Sequence, residues 1–119
     1  MNRLSDEEIS EEVRKITANF GLYKCDECAK AVMLWLQEHD IEGKIIKIQT
    51  SDGEDYIISI RLENQGIDES ITLNGIHYGV EVRGKVFDNL SVEGLTKEDW
   101  LNDFICPSGE FLVNYLDKI

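Results

Sequence analysis

Two segments near the start of the chain carry apolar residues at the spacing of amphipathic helices. The first begins at a capping box formed by Ser5 and Glu8 and runs to Gly21, a residue typical of helix C-termini. The second begins at Cys25 and reaches about His39. Its apolar positions recur every three or four residues, at Cys25, Cys28, Ala29, Val32, Met33 and Leu36.

From Gly43 onward the apolar residues alternate with polar ones, which predicts β-strands. Asp52-Gly53 predicts a hairpin between a strand around Ile46 and a strand around Ile58. Further strands are predicted at 71–73, 76–82 and 85–88, joined by turns at Asn74-Gly75 and Arg83-Gly84.

The residue pattern of the last part of the chain predicts short helices. Thr96 and Asp99 are placed to cap one of them. The segment 108–119 has apolar residues at helical spacing, at Phe111, Leu112, Tyr115 and Leu116. Helices, then an antiparallel sheet, then short C-terminal helices predict a single α+β domain over residues 1–119.

The chain is strongly acidic, with 24 Asp and Glu against 12 Lys and Arg and a formal net charge of −12. This charge repels phosphate backbones and anionic membranes, so we expect neither as a partner. Three cysteines leave one thiol unpaired in any disulfide scheme, and the N-terminal residues are more charged than we expect of a signal peptide. No apolar run approaches the ~20 residues of a membrane span. We therefore expect a cytoplasmic setting.

Cys25, His77 and Asp88 have the residue types of a cysteine nucleophile, its general base and the carboxylate that orients the base. Cys25 lies in the first turn of a predicted helix, where the helix dipole and unpaired amides favour a thiolate. His77 and Asp88 lie on the two strands of a predicted hairpin. The three residues favour a hydrolase or an acyl transferase.

The register of that hairpin follows from its two-residue turn, Arg83-Gly84. Counting outward from the turn, Gly79 opposes Asp88, and His77 lies two residues further along its strand. His77 and Asp88 are then diagonal neighbours on one face, with backbones about 7 Å apart. Gly79, which lies between them, is expected to leave open space for a substrate or for the cysteine.

The sequence leaves the choice of nucleophile open between Cys25 and Cys28. Cys25 is favoured by its position in the first turn, whereas Cys28 lies almost a turn inside, on the apolar face. The amides of that first turn can also bind an oxyanion, and Asn19 is a candidate for an additional side-chain donor.

Cys25 and Cys28 have two other interpretations. They can form a redox pair, but the preceding strand of such motifs is missing. They can bind zinc with Cys106 and His77, but the second ligand pair typical of structural zinc is missing. We therefore predict no metal and no cofactor, and we expect Cys106 to be a small buried apolar residue.

Three blocks of the chain resemble the papain fold toxin 2 domain of bacterial polymorphic toxins and cyanobacterial proteins, within the papain-like and transglutaminase-like superfamily. The blocks are FGLYKCDECA, HYGVEVRGKVFDNL and GLTKEDWLNDF, and they cover most of residues 20–104. The resemblance implies a papain-like fold whose nucleophile helix packs on an antiparallel sheet. Cys25 matches the nucleophile by transglutaminase spacing and Cys28 by papain spacing, while His77 and Asp88 match the other two members.

The resemblance also implies a function. It points to a peptidase or a protein glutamine deamidase that acts on a protein of a target cell, with a cognate immunity protein as partner. It further implies delivery into the target-cell cytoplasm as part of a larger toxin, and whether this chain is excised or stand-alone stays open. Both reactions share an acyl-enzyme, so the sequence does not separate them. The rival hypothesis is an inactive protein-binding module, such as an acidic immunity or inhibitor-like protein.

Overall fold

The two N-terminal helices form where the sequence predicts them. The computed structural model describes residues 4–91 and 93–119, so residues 1–3 and 92 of the predicted domain lie outside the described residues. Helix α1 is Asp6–Thr17 and helix α2 is Cys25–Glu38. The predicted capping box of α1 is present: the Ser5 hydroxyl accepts from the Glu8 N–H, and the Glu8 carboxylate accepts from the Ser5 N–H, both at 3.1 Å.

The strands form two antiparallel sheets. Those of the described chain are β1 (Lys44–Thr50), β2 (Ile58–Ser59), β3 (Ile76–Val82), β4 (Lys85–Phe87), β5 (Phe104–Ile105) and β6 (Phe111–Leu116). The larger sheet has the order β4-β3-β1-β6, and the smaller one pairs β2 with β5. Two short helices, α3 (Ile60–Glu63) and α4 (Lys97–Leu101), complete the fold.

The larger sheet separates two apolar cores. On one face, the apolar sides of α1 and α2 pack on β1, β3 and β4. On the other face, Trp100 of α4 and Leu62 of α3 pack against Ile46 and Ile48. Since helices cover an antiparallel sheet on both faces, the fold is of the mixed α+β class that the sequence predicts.

The hairpin β3–β4 has the predicted register. Arg83 and Gly84 both have positive φ, 51° and 78°, as a two-residue primed turn requires. Val82 pairs with Lys85 and Val80 pairs with Phe87. Since side chains alternate between faces, the residues at 77 and 88 lie on the same face of the hairpin.

The prediction of a helix at the C-terminus is wrong. The segment forms β6, which pairs antiparallel with β1 from Ile45↔Leu116 to Thr50↔Phe111. The spacing of its apolar residues fits a helix, but β1 would otherwise have one edge of unpaired backbone groups. Aromatic and β-branched residues such as Val113 and Tyr115 also favour a strand.

Two further strand predictions are wrong. The strand β1 does not form a hairpin with β2 across Asp52-Gly53, because its two edges are occupied by β3 and β6. The segment 71–73 is a bend rather than a strand, because local side chains satisfy its backbone. The Ser70 hydroxyl donates to the Thr72 carbonyl at 2.9 Å and accepts from the Thr72 N–H at 3.3 Å.

Candidate active site

Cys25 is the first residue of α2, and its thiol lies at the wall of a cavity. The N-cap residue Lys24 makes no side-chain hydrogen bond to the first turn of the helix. The N–H groups of that turn have no partners within the helix, so they remain available to a ligand. Tyr23, two residues before Cys25, has a φ of 70°, in the left-handed region that non-glycine residues rarely adopt. The connector therefore turns sharply into the helix that carries the thiol.

The cavity beside Cys25 has a volume of about 270 Å³. The residues that line it include Tyr23, Tyr78, Asp26 and the exposed Leu73. Partial burial raises the pKa of Tyr78, and the nearby Cys25 and Asp26 raise it further, so the phenol remains a hydrogen-bond donor. Cys25 itself is only 8% exposed. Its thiol is therefore approached through this cavity.

His77 is fully buried on β3, and its two ring nitrogens have different surroundings. Nε2 lies 2.9 Å from Oδ2 of Asp88, and since a carboxylate only accepts, Nε2 carries a proton. Nδ1 is buried and has no hydrogen-bond partner in the described part of the chain. Nδ1 is therefore the nitrogen available to a thiol.

The pKa of His77 reflects two opposing effects. Burial lowers it, but the hydrogen bond to Asp88 and the interactions with Asp88 and Cys25 outweigh burial and raise the pKa to about 9. Cys25 therefore raises the pKa of the imidazole, although its sulfur is not in hydrogen-bond geometry with Nδ1. Catalytic hydrogen bonds are often loose in ligand-free sites, so this geometry is compatible with proton transfer.

Asp88 follows β4, and its buried carboxylate accepts five hydrogen bonds at 2.9–3.0 Å. The donors are His77 Nε2, Trp100 Nε1 and Arg61 Nη2 to Oδ2, and the Leu90 N–H and Ser91 hydroxyl to Oδ1. Burial raises the pKa of Asp88, but the His77 hydrogen bond and the charges of His77 and Arg61 hold it well below its usual range. The carboxylate is therefore fixed in position and ionised.

The space over Gly79 is filled by Trp100, so the prediction that a substrate or the cysteine occupies it is wrong. A Cβ at Gly79 would lie 2.7 Å from Cζ2 of Trp100 and 2.9 Å from Cγ1 of Val86. The glycine instead lets the indole lie flat beside His77, with ring centroids 5.9 Å apart. Trp100 belongs to α4, whose predicted N-cap Thr96 accepts from the Asp99 N–H at 3.2 Å.

The sequence does not predict three of the side-chain donors to Asp88, namely Arg61, Trp100 and Ser91. Arg61 comes from α3, in a stretch predicted as strand, and its partner Asp103 follows α4. An Asp between the apolar residues of the LNDF stretch is the signal that suggests a buried carboxylate there. Ser91, three residues after Asp88, fits an Asx-type turn, which the sequence could have indicated.

The other candidate residues have different settings. Cys28 lies in the core formed with α1, and burial, Asp88 and Cys25 raise the pKa of its thiol to about 12. Asn19 is exposed and lies two residues beyond the end of α1, where its Nδ2 donates to the Lys15 carbonyl at 3.2 Å. Its role as an oxyanion donor stays a prediction.

Cys106 is buried as predicted, with its sulfur 3.3 Å from the Glu110 carbonyl oxygen. Within residues 4–91 and 93–119, no three His, Cys, Asp or Glu side chains are grouped so that they could hold a metal ion. The zinc set of Cys25, Cys28, Cys106 and His77 is therefore not assembled. All three cysteines are free thiols.

Comparison with known families identifies the chain. The helices of the described residues include none that is long and apolar enough to cross a bilayer. No match was found among curated proteins or among solved structures. A family model described as papain fold toxin 2 matches residues 8–105, from α1 through β5, and confirms the resemblance read from the sequence. The chain therefore belongs to the papain fold toxin 2 family.

Proposed function

We propose that this chain is a cysteine-dependent amide hydrolase in which Cys25 is the nucleophile, His77 the base and Asp88 the residue that orients the base. One observation carries the proposal. The buried imidazole of His77 is anchored through Nε2 to Asp88, while Nδ1 is left without a partner in the described chain and Cys25 acts on the same ring. An imidazole held in one orientation beside a thiol at a helix start is the arrangement that nucleophilic catalysis needs.

The reaction follows from these positions. At neutral pH the His77 ring, whose pKa is about 9, holds the proton of Cys25 on Nδ1, and the Cys25 sulfur attacks the carbonyl carbon of an amide as the thiolate. The tetrahedral intermediate collapses as the C–N bond breaks, and His77 returns the proton to the leaving nitrogen. Water then attacks the thioester, with His77 taking its proton, and releases an acid and the free thiol. The leaving group is an amine in peptide hydrolysis and ammonia in glutamine deamidation.

The start of α2 supports the oxyanion step. Its first-turn N–H groups face no capping side chain from Lys24, and the helix dipole there favours negative charge. The raised pKa of Cys28, about 12, supports Cys25 as the nucleophile, because a thiol held protonated in the core is inert.

Membership of the family suggests a toxin effector domain. Our proposal adds a substrate, a route of delivery and a partner. We propose that the substrate is a protein of a target cell, that the domain reaches that cell's cytoplasm as part of a larger toxin, and that a cognate immunity protein binds it. Peptidase and protein glutamine deamidase remain the two candidate activities, since they differ only in the leaving nitrogen.

Proteomics of cells that express the wild-type chain or Cys25→Ala tests the proposal. We expect new cleavage sites or new glutamine-to-glutamate changes with the wild type, and neither with Cys25→Ala. Cys106→Ala is the matched control, because it removes a buried thiol outside the site and should behave as wild type. Identical proteomes for wild type and Cys25→Ala would contradict the proposal and favour a binding module.

A further inference from the structure

Arg61 links the Asp88 carboxylate to a second buried carboxylate, Asp103. Its Nη2 lies 3.0 Å from Oδ2 of Asp88, and its Nε lies 2.7 Å from Oδ2 of Asp103. The Arg61 backbone N–H also donates to Oδ1 of Asp103 at 2.8 Å. The side chain of Arg61 is 20% exposed, while those of Asp88 and Asp103 are at most 5% exposed. Most of this chain of charges is therefore out of water.

Asp103 is itself held in place from two directions. The Ser59 hydroxyl donates to Oδ2 of Asp103 at 2.6 Å, and the Asp103 carbonyl accepts from the Ile60 N–H at 2.8 Å. The guanidinium therefore lies at a fixed distance from Asp88, rather than swinging into solvent. Phe104 adds a further constraint, since the Arg61 guanidinium carbon lies 5.8 Å from its ring centre.

The shared oxygen couples this chain to the base. Oδ2 of Asp88 accepts from both His77 and Arg61, so the two cations compete for one negative charge. Where water is largely excluded, charges separated by a few ångströms interact strongly. The positive charge of Arg61 disfavours a proton on His77, and the negative charge of Asp103 offsets that effect.

We infer that Arg61 and Asp103 are positioning residues that act through Asp88 to set the proton affinity of His77, Arg61 lowering it and Asp103 raising it. The inference rests on the proposed function, in which His77 exchanges a proton with Cys25. The titratable and charged groups around His77 come from four parts of the chain. They are Cys25 and Cys28 in α2, Arg61 in α3, Asp88 just after β4, and Asp103 just after α4.

An NMR titration of the histidine rings tests the inference. The chain has 2 histidines, so His77 can be followed with His39 as an internal reference. A Cys25→Ser background uncouples the imidazole from the thiol. We expect Arg61→Gln to raise the His77 midpoint by roughly one pH unit and Asp103→Asn to lower it by a similar amount. The double variant should return close to the parent, with the His39 midpoint unchanged throughout.

Matched controls come from an exposed ion pair of the same residue types. Arg83 Nη1 lies 2.9 Å from Oδ1 of Asp6, on the surface. Arg83→Gln and Asp6→Asn change the net charge by the same amounts and should leave the His77 midpoint in place. Shifts of the same sign in Arg61→Gln and Asp103→Asn, or shifts equal to those of the controls, would overturn the inference.

A further variant covers the case in which Arg61→Gln does not fold. Arg61→Lys retains the charge and should keep the His77 midpoint near the parent value, while Asp103→Asn still lowers it. A midpoint in Arg61→Lys that falls to the ordinary histidine value would indicate a structural role only and overturn the inference.

Failure of the inference can be told apart from failure of the proposed function by measuring Cys25 alkylation in the chain with Cys25 intact. Fast alkylation that depends on His77, without opposite shifts in the titration, would overturn the inference alone. Alkylation that does not depend on His77 would overturn the proposed function and the inference with it.

Discussion

Nε1 of Trp100 lies 2.9 Å from Oδ2 of Asp88, the oxygen that also accepts from His77. The Trp100 indole therefore helps to fix the position of the Asp88 carboxylate, which in turn orients His77. We expect Trp100→Phe to lose about 1.5–3 kcal/mol in the free energy of unfolding from this hydrogen bond to a charged group, and more from the space left by the smaller ring.

Chemical denaturation of Trp100→Phe measures this loss, and Trp35→Phe is its control. Trp35 is half-buried and stacks on His39, away from Asp88. The control should lose less stability and should leave Cys25 alkylation unchanged. Equal losses in the two variants, with equal alkylation rates, would contradict the role given to Trp100.

Gly79 is predicted to be intolerant of a side chain because Trp100 occupies the space next to it. The Cβ of Gly79→Ala would lie 2.7 Å from Cζ2 of Trp100, so the indole or the strand must shift. We expect a loss of about 1–3 kcal/mol, typical of overpacking, together with slower Cys25 alkylation. Gly21→Ala is the control, since a Cβ there meets nothing within 4 Å. The idea fails if thermal unfolding finds both variants equally stable.

Stability should fall as the pH rises from neutral toward the pKa of His77. Because the folded pKa, about 9, lies above the ordinary value of 6.5, the stabilisation from His77 is complete below about pH 6.5 and is lost as the pH rises through about 9. For Asp88, whose pKa is lowered from 3.8, the stabilisation is present above about pH 3.8 and is lost as the pH falls further.

Denaturant unfolding of wild type and His77→Gln at several pH values checks the alkaline limb. The wild type should lose free energy of unfolding between about pH 6.5 and about pH 9, and His77→Gln should lose less over the same range. Parallel curves for the two proteins would show that His77 is not the group responsible.

The parts of the site that lie in one hairpin could be predicted from the sequence. The register of β3 and β4 follows from a two-residue turn at Arg83-Gly84. Counting residues outward from this turn is enough to predict that His77 and Asp88 lie on one face. The start of α2 at Cys25 follows similarly from the helical spacing of its apolar residues. Both features depend on contacts between residues close in sequence.

The parts that depend on distant contacts could not be predicted. Arg61 reaches Asp88 across 27 positions and Asp103 across 42, and their pairing depends on how α3 and α4 pack under the sheet. The apolar spacing of β6 fits a helix as well as a strand, and only the free edge of β1 decides between them. The sequence predicts Trp100 in a helix, but its place over Gly79 depends on tertiary packing.

Alkylation of the three cysteines is the measurement that tests the central claim most directly. At neutral pH, iodoacetamide should label Cys25 much faster than Cys28 or Cys106, because Cys25 lines a cavity and interacts with His77, while burial raises the pKa of Cys28 to about 12. His77→Ala should slow the labelling of Cys25, whereas His39→Ala should not. Slow and equal labelling of all three thiols in the folded wild type, unaffected by His77→Ala, would contradict the assignment of Cys25 and His77 as nucleophile and base.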